Sequence, residues 1–525
     1  MTRSIRFLKS YTIKVFCICI LSMIMWSCGT TSSLPKAPIK NVVEEDLIRF
    51  NILAVNDVYE IAALENGTIG GMARVATLRD SLKKENPNTF LTMAGDFLNP
   101  SLLGTLKYEG ERIKGKQMIE VMNAMKFDLA TFGNHEFDLK PKEFQSRLNE
   151  SMFNWVSANV QYNGGDIILP FFKEHYGIKY GIPQTKSIRI YNKDSIAMSL
   201  GFVSVTIDSN PQDWVDYGNY LTDATFAYNS IKDTTDVVIG FTHLSLAEDK
   251  ELAKQLPQLP LIIGGHEHDA IDVTVGSTRI TKADANAKSA FLHEFAYNTN
   301  TKEVSVKSTL IPIAKAIPKD PYVQSIVDKW TAIQDAEIKK VIDNPYEVIY
   351  TAKEVLDGTD ASGRSKQTNL GKIVTKAMSF AYNNEVDAVF VNGGSFRIDD
   401  ELEGDISSFD IFRVLTFGGN LLKVNIKGSL LNDVLDYGKQ SAGTGAYLQR
   451  YNITQDAETG NWLVKGKPIN AEESYWIATS DYLLKGFDVP MLKTGEPGVI
   501  NVVTPNAESL AGDIRKAVIA YLKTL

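Results

Sequence analysis

Past residue 28 the chain has no cysteine: its three cysteines are Cys17, Cys19 and Cys28. A folded body beyond that point has no disulfide and no thiolate metal site. Positive charge is also short, with 55 Lys and Arg against 63 Asp and Glu, a net charge of −8. A nucleic-acid polymer needs a basic surface, so it is excluded as a partner. Long apolar runs are missing too: after the leader no segment is long and apolar enough to cross a bilayer. Histidine is scarce, at six in 525 residues, so where the six fall carries information.

The leader has Arg3, Arg6, Lys9 and Lys14, then an apolar run over residues 15–26, then Ser27-Cys28-Gly29. This is a signal peptide's charged and apolar pattern, too short for an ordinary transmembrane helix. A cysteine straight after the apolar run resembles the lipid acceptor of bacterial lipoproteins, although Trp26 departs from the small-residue cleavage box. Residues 1–28 therefore read as a signal peptide with Cys28 as lipidation site, and residues 29–45 as a flexible tether. The expectation is an exported, membrane-anchored lipoprotein on the periplasmic or cell-surface side. Plain secretion with an incidental Cys28 is the alternative.

Five short apolar runs dominate what remains, at residues 51–57, 89–96, 129–135, 237–243 and 261–268. Each reads as a buried strand, and each ends in Asp, Asn or His: Asp57, Asp96, Asn134-His135, His243, and His266-Glu267-His268. In open α/β sheets ligands sit beyond the carboxyl ends of strands. Asp, Asn and His are the donors of a hydrolytic metal centre. Four of the six histidines fall in these motifs. If residues 266–268 are extended, His266 and His268 face the same side, and the same alternation puts Tyr59 beside Asp57. An isolated Asp after a strand is more often a turn residue. The ordered set is not explained that way, because burying it without a cation would be costly. His175 and His293 sit in no motif and read as satisfied core residues.

Strand and helix alternate from about residue 48 to 317, with helical stripes at Met72, Val75, Leu78 and Leu82 and at Met118, Val121, Met122 and Met125. This is an α/β pattern. Residues 163–236, rich in Tyr, Asn and Asp, read as an embellishment. Asp320-Pro321 opens a long helix with an N-cap and a proline at its first position, expected to end by Asn344-Pro345. It separates residues 46–318 from 346–525, and residues 319–345 read as a domain connector.

The ordered set resembles the calcineurin-like metallophosphatase superfamily. The resemblance implies a four-layer α/β/β/α metallophosphatase domain holding two divalent ions (Zn, Mn, Mg or Fe). Asp96 would bridge them, Asp57 and His268 would hold one, and Asn134, His243 and His266 the other. His135 would assist the leaving oxygen and Asp138 would orient it. A metal pair activates water and clamps the reacting oxygens. Where that family usually has Asp-x-His, this chain has Asp57-Val58-Tyr59. Tyr59 reads either as a phenolate ligand or as a neutral phenol beside the site.

In the second half, a strand at residues 387–391 runs into Asn392-Gly393-Gly394-Ser395-Phe396-Arg397, followed by Leu415-Thr416-Phe417-Gly418-Gly419-Asn420 and Gly445-Ala446-Tyr447-Leu448-Gln449. A guanidinium after a glycine turn suits an anion. These segments resemble the C-terminal α/β domain of the 5′-nucleotidase family. By that resemblance Arg364 and Arg397 would contact phosphate, Asn392 the base, and Phe417 and Phe487 its faces; core packing is the competing reading of Phe417. Pro490 stands where the family's second stacking aromatic is expected, with no ribose-binding Asp soon after. The implied function is extracytoplasmic phosphoester hydrolysis of a small molecule, a nucleotide by resemblance. The alternatives are a same-fold thiosulfohydrolase or sugar phosphatase, or a surface ligand-binding lipoprotein without turnover.

Overall fold

The computed structural model describes residues 46–525 apart from Asn210; Cys28, the leader and the tether lie outside the described residues. The described chain forms one compact unit. No helix among the described residues is long and apolar enough to cross a membrane.

The first half contains two six-stranded sheets packed face to face. One runs in the order Val304–Pro312, Ser289–Asn298, Leu47–Val55, Thr89–Ala94, Leu129–Thr131, Asn154–Trp155. The other runs Thr185–Tyr191, Ala197–Thr206, Val237–His243, Leu261–Gly264, Thr278–Lys282, Ile271–Val275. Side-chain alternation explains why the layers stack. Phe50, Ile52 and Ala54 point one way and pack against Phe202, Phe241 and Ile263 of the other sheet. Leu53 and Val55 point the other way, into a core with Met72, Val75 and Met118 of the helices Met72–Glu85 and Lys116–Ala124. Helices Tyr220–Ile231 and Leu246–Gln255 cover the outer face of the second sheet. The result is the expected α/β/β/α stack.

Residues 163–236 correct one reading. They are not an embellishment, because Thr185–Tyr191 and Ala197–Thr206 are two strands of the second sheet. Their polar residues alternate with Ile190, Met198, Leu200 and Phe202, all buried between the sheets. The polar composition masked a half-buried strand pattern.

Helix Pro321–Ile338 begins as expected, with the Asp320 carboxylate accepting from the Val323 amide at 2.8 Å. It ends at Ile338, short of Asn344. Val323, Val327 and Trp330 belong to the core of the first half, and Ile338 to that of the second. The helix thus ties the two cores together. The second half is a five-stranded sheet, Leu448–Tyr451, Ala388–Asn392, Ser474–Ser480, Leu421–Lys427, Val499–Val503. Asn369–Phe380 and Ile514–Leu522 pack on one face and Gly428–Gln440 on the other.

Candidate metal centre and substrate cleft

Strand register brings the motif residues together. Leu47–Val55, Thr89–Ala94 and Leu129–Thr131 run parallel, with Val55 opposite Met93 and Ala94 opposite Thr131. Three strands therefore end at one level, and Asp57, Asp96 and Asn134 follow them. Val237–His243 and Leu261–Gly264, also parallel, bring His243, His266 and His268 from the second sheet. Tight reversals follow: Asp57, Asp96, His266 and His268 all have positive φ, at 52°, 54°, 93° and 65°. Non-glycine residues rarely hold this conformation, and when they do it costs of order 1–3 kcal/mol each. His266 and His268 are therefore not side by side on an extended segment, as alternation suggested; a left-handed turn brings them in. Gly265 permits the close approach, since a Cβ there would lie 2.5 Å from the Ala94 carbonyl oxygen.

Asp57, Asp96 and His243 are fully buried, and their ligating atoms lie within 4.8 Å of one another. His243 Nε2 is 3.1 Å from Asp96 Oδ2 and 3.8 Å from Asp57 Oδ1. The Ala94 carbonyl can only accept, so His243 donates from Nδ1 at 2.8 Å and Nε2 is the atom it would offer to a cation. Three atoms of the expected ligands, Asp57 Oδ1, Asn134 Oδ1 and His243 Nε2, are buried without a hydrogen-bond partner. Among the described residues, the ion-pairing partners of Asp57 and Asp96 are histidines and no Lys or Arg. Orphaned buried acceptors around two paired carboxylates are what a cation relieves, so the donor set fits a divalent metal site.

The electrostatics register the same excess of negative charge, which holds on two of the histidines protons that an ion would displace on binding. Burial would depress His243, yet Asp96 and Asp57 carry it to about 9. Burial likewise opposes His268, and Asp399 and Asp57 carry it to about 10. Burial and the neighbouring His243 push His266 down to about 4. Tyr59 does enter the site, its hydroxyl 2.9 Å from His268 Nε2 and 3.3 Å from Asp96 Oδ2. Burial, then Asp96 and Asp57, push its phenol well above the ordinary value, which favours the neutral form.

Beside the cluster, His135 Nδ1 meets Asp138 Oδ2 at 2.8 Å. Burial opposes, but Asp138 and Asp96 hold the imidazole well above its usual range, and His135 with the nearby arginines lowers Asp138 to about 2. Arg397 Nη2 is 3.3 Å from Asp138 Oδ2. A cavity of about 650 Å³ lies over His135, His266 and His268 and reaches Arg364, Asp360 and Asp399. A second, of about 510 Å³, adjoins it through Arg364 and Gly445 and is lined by Asn392, Arg397, Phe417, Tyr482 and Asp488.

Of the expected substrate residues, Arg364, Asn392, Arg397 and Phe417 line this cleft. Phe417 is 59% exposed, which overturns core packing. Phe487 does not line it. Its ring lies against Tyr482, centroids 5.4 Å apart, and Tyr482 is the aromatic that faces the cavity. An acid also stands there after all: Asp488 accepts from Tyr482 at 2.8 Å and from Asn392 at 2.7 Å. His293 is a buried core residue, Nδ1 2.8 Å from Ser308 Oγ. His175, in contrast, is exposed near the end of a short hairpin.

Supporting residues were missed. Glu136, fully buried, accepts from the amides of Asp96, Phe97, Leu98 and Gly133, locking two motif loops together. Lys282, also buried, pairs with Asp249 at 2.8 Å and with Glu267, which stands between His266 and His268. Glu136 had a signal, its place inside the Asn-His-Glu motif. Lys282 and Asp249 had none. Asp399, in the second half, lies 3.7 Å from His268 Nε2 across the cleft and forms a second group of candidate ligands with His135 and Asp360.

Residues 50–270 match the family Calcineurin-like phosphoesterase, and residues 348–494 match 5′-nucleotidase, C-terminal domain. Over 464 residues the chain is 25% identical to the Trifunctional nucleotide phosphoesterase protein YfkN of Bacillus subtilis, covering 79% of this chain but 31% of that protein. It is 25% identical to the 5′-nucleotidase of Homo sapiens over 478 residues, 80% of this chain and 78% of the relative. The 5′-nucleotidase precursor of Thermus thermophilus shares the fold, with a TM-score of 0.65 over 91% of this chain and 96% of that one at 21% identity.

Proposed function

Since the chain belongs to the 5′-nucleotidase family, with a calcineurin-like phosphoesterase domain and a 5′-nucleotidase C-terminal domain, and is a metal-dependent phosphoester hydrolase, we propose that it releases phosphate from nucleotides outside the cytoplasm. The observation that carries this reading is the adjacency of two sites. A buried carboxylate–histidine cluster with orphaned acceptors opens onto a cleft that holds two arginines and two aromatic rings.

Asp57, Asp96, Asn134, His243, His266 and His268 would hold two divalent ions. When bound, such ions supply an activated water and neutralise the phosphoryl oxygens. The chain's own residues do the rest. Arg364 and Arg397 fork onto the phosphate and position it. Asp138 fixes the His135 ring through Nδ1, so Nε2 faces the cleft. Held protonated by its neighbours, His135 donates from Nε2 to the leaving oxygen. Phe417 and Tyr482 give the base two stacking faces, and Asp488, already held by Asn392 and Tyr482, offers an acceptor to a ribose hydroxyl.

The reading includes domains at residues 46–318 and 346–525, joined by residues 319–345. It also includes a membrane anchor through Cys28 behind the tether of residues 29–45. Loss of the Cys28→Ser variant from the membrane fraction would support the anchor; unchanged membrane association would count against it.

The test of function is phosphate release from AMP, UMP, ADP, a UDP-sugar and an aryl phosphate with manganese, zinc or magnesium. Metal-dependent release from nucleotides, abolished in Asn134→Ala, is expected. Release from the aryl ester alone would favour the second reading, a non-nucleotide substrate, which the displacement of Phe487 from the cleft supports.

A further inference from the structure

The second half of the chain brings two carboxylates, Asp360 and Asp399, beside His135, and Asp399 also reaches His268. Asp399 follows the buried Ile398, which anchors the segment in the second-half core. It adopts φ 42°, left-handed for a non-glycine residue. Its two carboxylate oxygens differ. Oδ1 accepts from the Asp360 amide at 2.7 Å. Oδ2 lies 3.7 Å from His268 Nε2 and 3.7 Å from His135 Nε2. That is too long for a hydrogen bond. It is close to the spacing of two atoms that share an ion: bonds of about 2.1 Å in a tetrahedral shell put neighbouring donors about 3.4 Å apart.

Other observations converge on the same point. The backbone carbonyl of Asp399 accepts from His268 Nδ1, so the second half orients this histidine with Nε2, the atom it would offer to an ion, toward the cluster and Tyr59. Asp57 Oδ1, fully buried and without a hydrogen-bond partner, lies 3.5 Å from the same Nε2. Asp57 from the first half and Asp399 from the second thus both approach His268 Nε2. On the first half Tyr59 stands where a histidine was expected, so one nitrogen donor is missing beside Asp57 and His268, and a carboxylate can supply a donor in its place.

We propose that Asp399 is a metal ligand, supplied by the second half of the chain to the ion that Asp57 and His268 would hold. The inference rests on the dimetal reading above. Its consequence is that this ion is fully ligated only while the Phe396–Asp400 segment stays docked on the His268 turn. The two halves and one ion then form a single linked equilibrium, and binding the ion stabilises the docked arrangement.

The test is metal content by mass spectrometry and metal affinity by calorimetry on the full chain, with manganese and zinc as probes. The wild type is expected to bind two ions. Asp399→Asn should retain one and bind the second at least about tenfold more weakly, at or beyond the loss seen when partners of metal ligands are removed. Asp399→Glu, which keeps the charge, should recover part of the loss. Asp400→Asn should change neither, since Asp400 bonds Lys288 at 3.0 Å outside the cluster. Should Asp399→Asn fold poorly, Asp399→Glu and Asp399→Ser, which leave the backbone bond to His268 intact, carry the same comparison. Two ions of unchanged affinity in Asp399→Asn would overturn the assignment and leave the dimetal reading standing. A wild type that binds fewer than two ions would overturn that reading, and the assignment with it.

Discussion

Asp138 Oδ2 is shared between the halves of the molecule: it meets His135 Nδ1 at 2.8 Å and Arg397 Nη2 at 3.3 Å. One oxygen therefore orients the proposed general acid and touches the proposed phosphate ligand. Asp138→Asn should preserve the fold, lose the protonated His135, and lower kcat by about 10²–10⁴. KM should move far less. A kcat within threefold of wild type would remove His135 from the proton transfer.

Arg397 reports on the same contact from the other side. Arg397→Lys keeps the charge but not the fork, so KM for a nucleotide should rise by about tenfold or more. Steady-state kinetics on AMP would show it, and an unchanged KM would place the phosphate elsewhere.

Phe417→Ala and Tyr482→Ala should each weaken nucleotide binding by about 1–3 kcal/mol, the worth of one stacked base. Kinetics on an aryl phosphate should be nearly unaffected. Equal losses on both substrates would mean that the rings shape the cleft without reading a base.

Lys282 is buried between Asp249 and Glu267. Lys282→Met leaves two acids without their cation and should destabilise the fold by about 3–5 kcal/mol. It should also loosen the His266–His268 turn and lower metal content. Urea unfolding and metal analysis check the two effects separately.

Buried His293 has its pKa depressed to about 3, by desolvation first and then by Arg279. The unfolded chain protonates this histidine near 6.5, and the folded one not until about 3. In that window the unfolded state holds more protons, so stability falls as the pH falls from about 6.5 toward 3. Above that window the residue contributes no slope. His293→Phe, measured against wild type by urea unfolding from about pH 4 to 7.5, should flatten this part of the profile. Parallel profiles would show that His293 does not titrate as described.

Most of the fold was legible because strand alternation and helix stripes are local patterns. Residues 52–55, Ile-Leu-Ala-Val, are an unbroken apolar run, the mark of a strand buried on both faces, with Ile52 and Ala54 in one core and Leu53 and Val55 in the other. The same locality misleads where polar residues dilute a half-buried strand, as at Thr185–Tyr191, and where a left-handed turn replaces extended chain, as at His266-Glu267-His268. Tyr482 carried no signal of its own beside Phe487: the two rings lie together, and only the folded cleft shows that Tyr482 lines it.

By itself the sequence determined the types and order of the candidate ligands. Each follows a buried strand, and register between parallel strands leaves little choice about where the strand ends. Tertiary structure alone decided what surrounds them. Asp399 contacts His268 across 131 positions, and Arg397 contacts Asp138 across 259. Such contacts depend on how the two cores pack together, and no period of 2 or 3.6 residues encodes that.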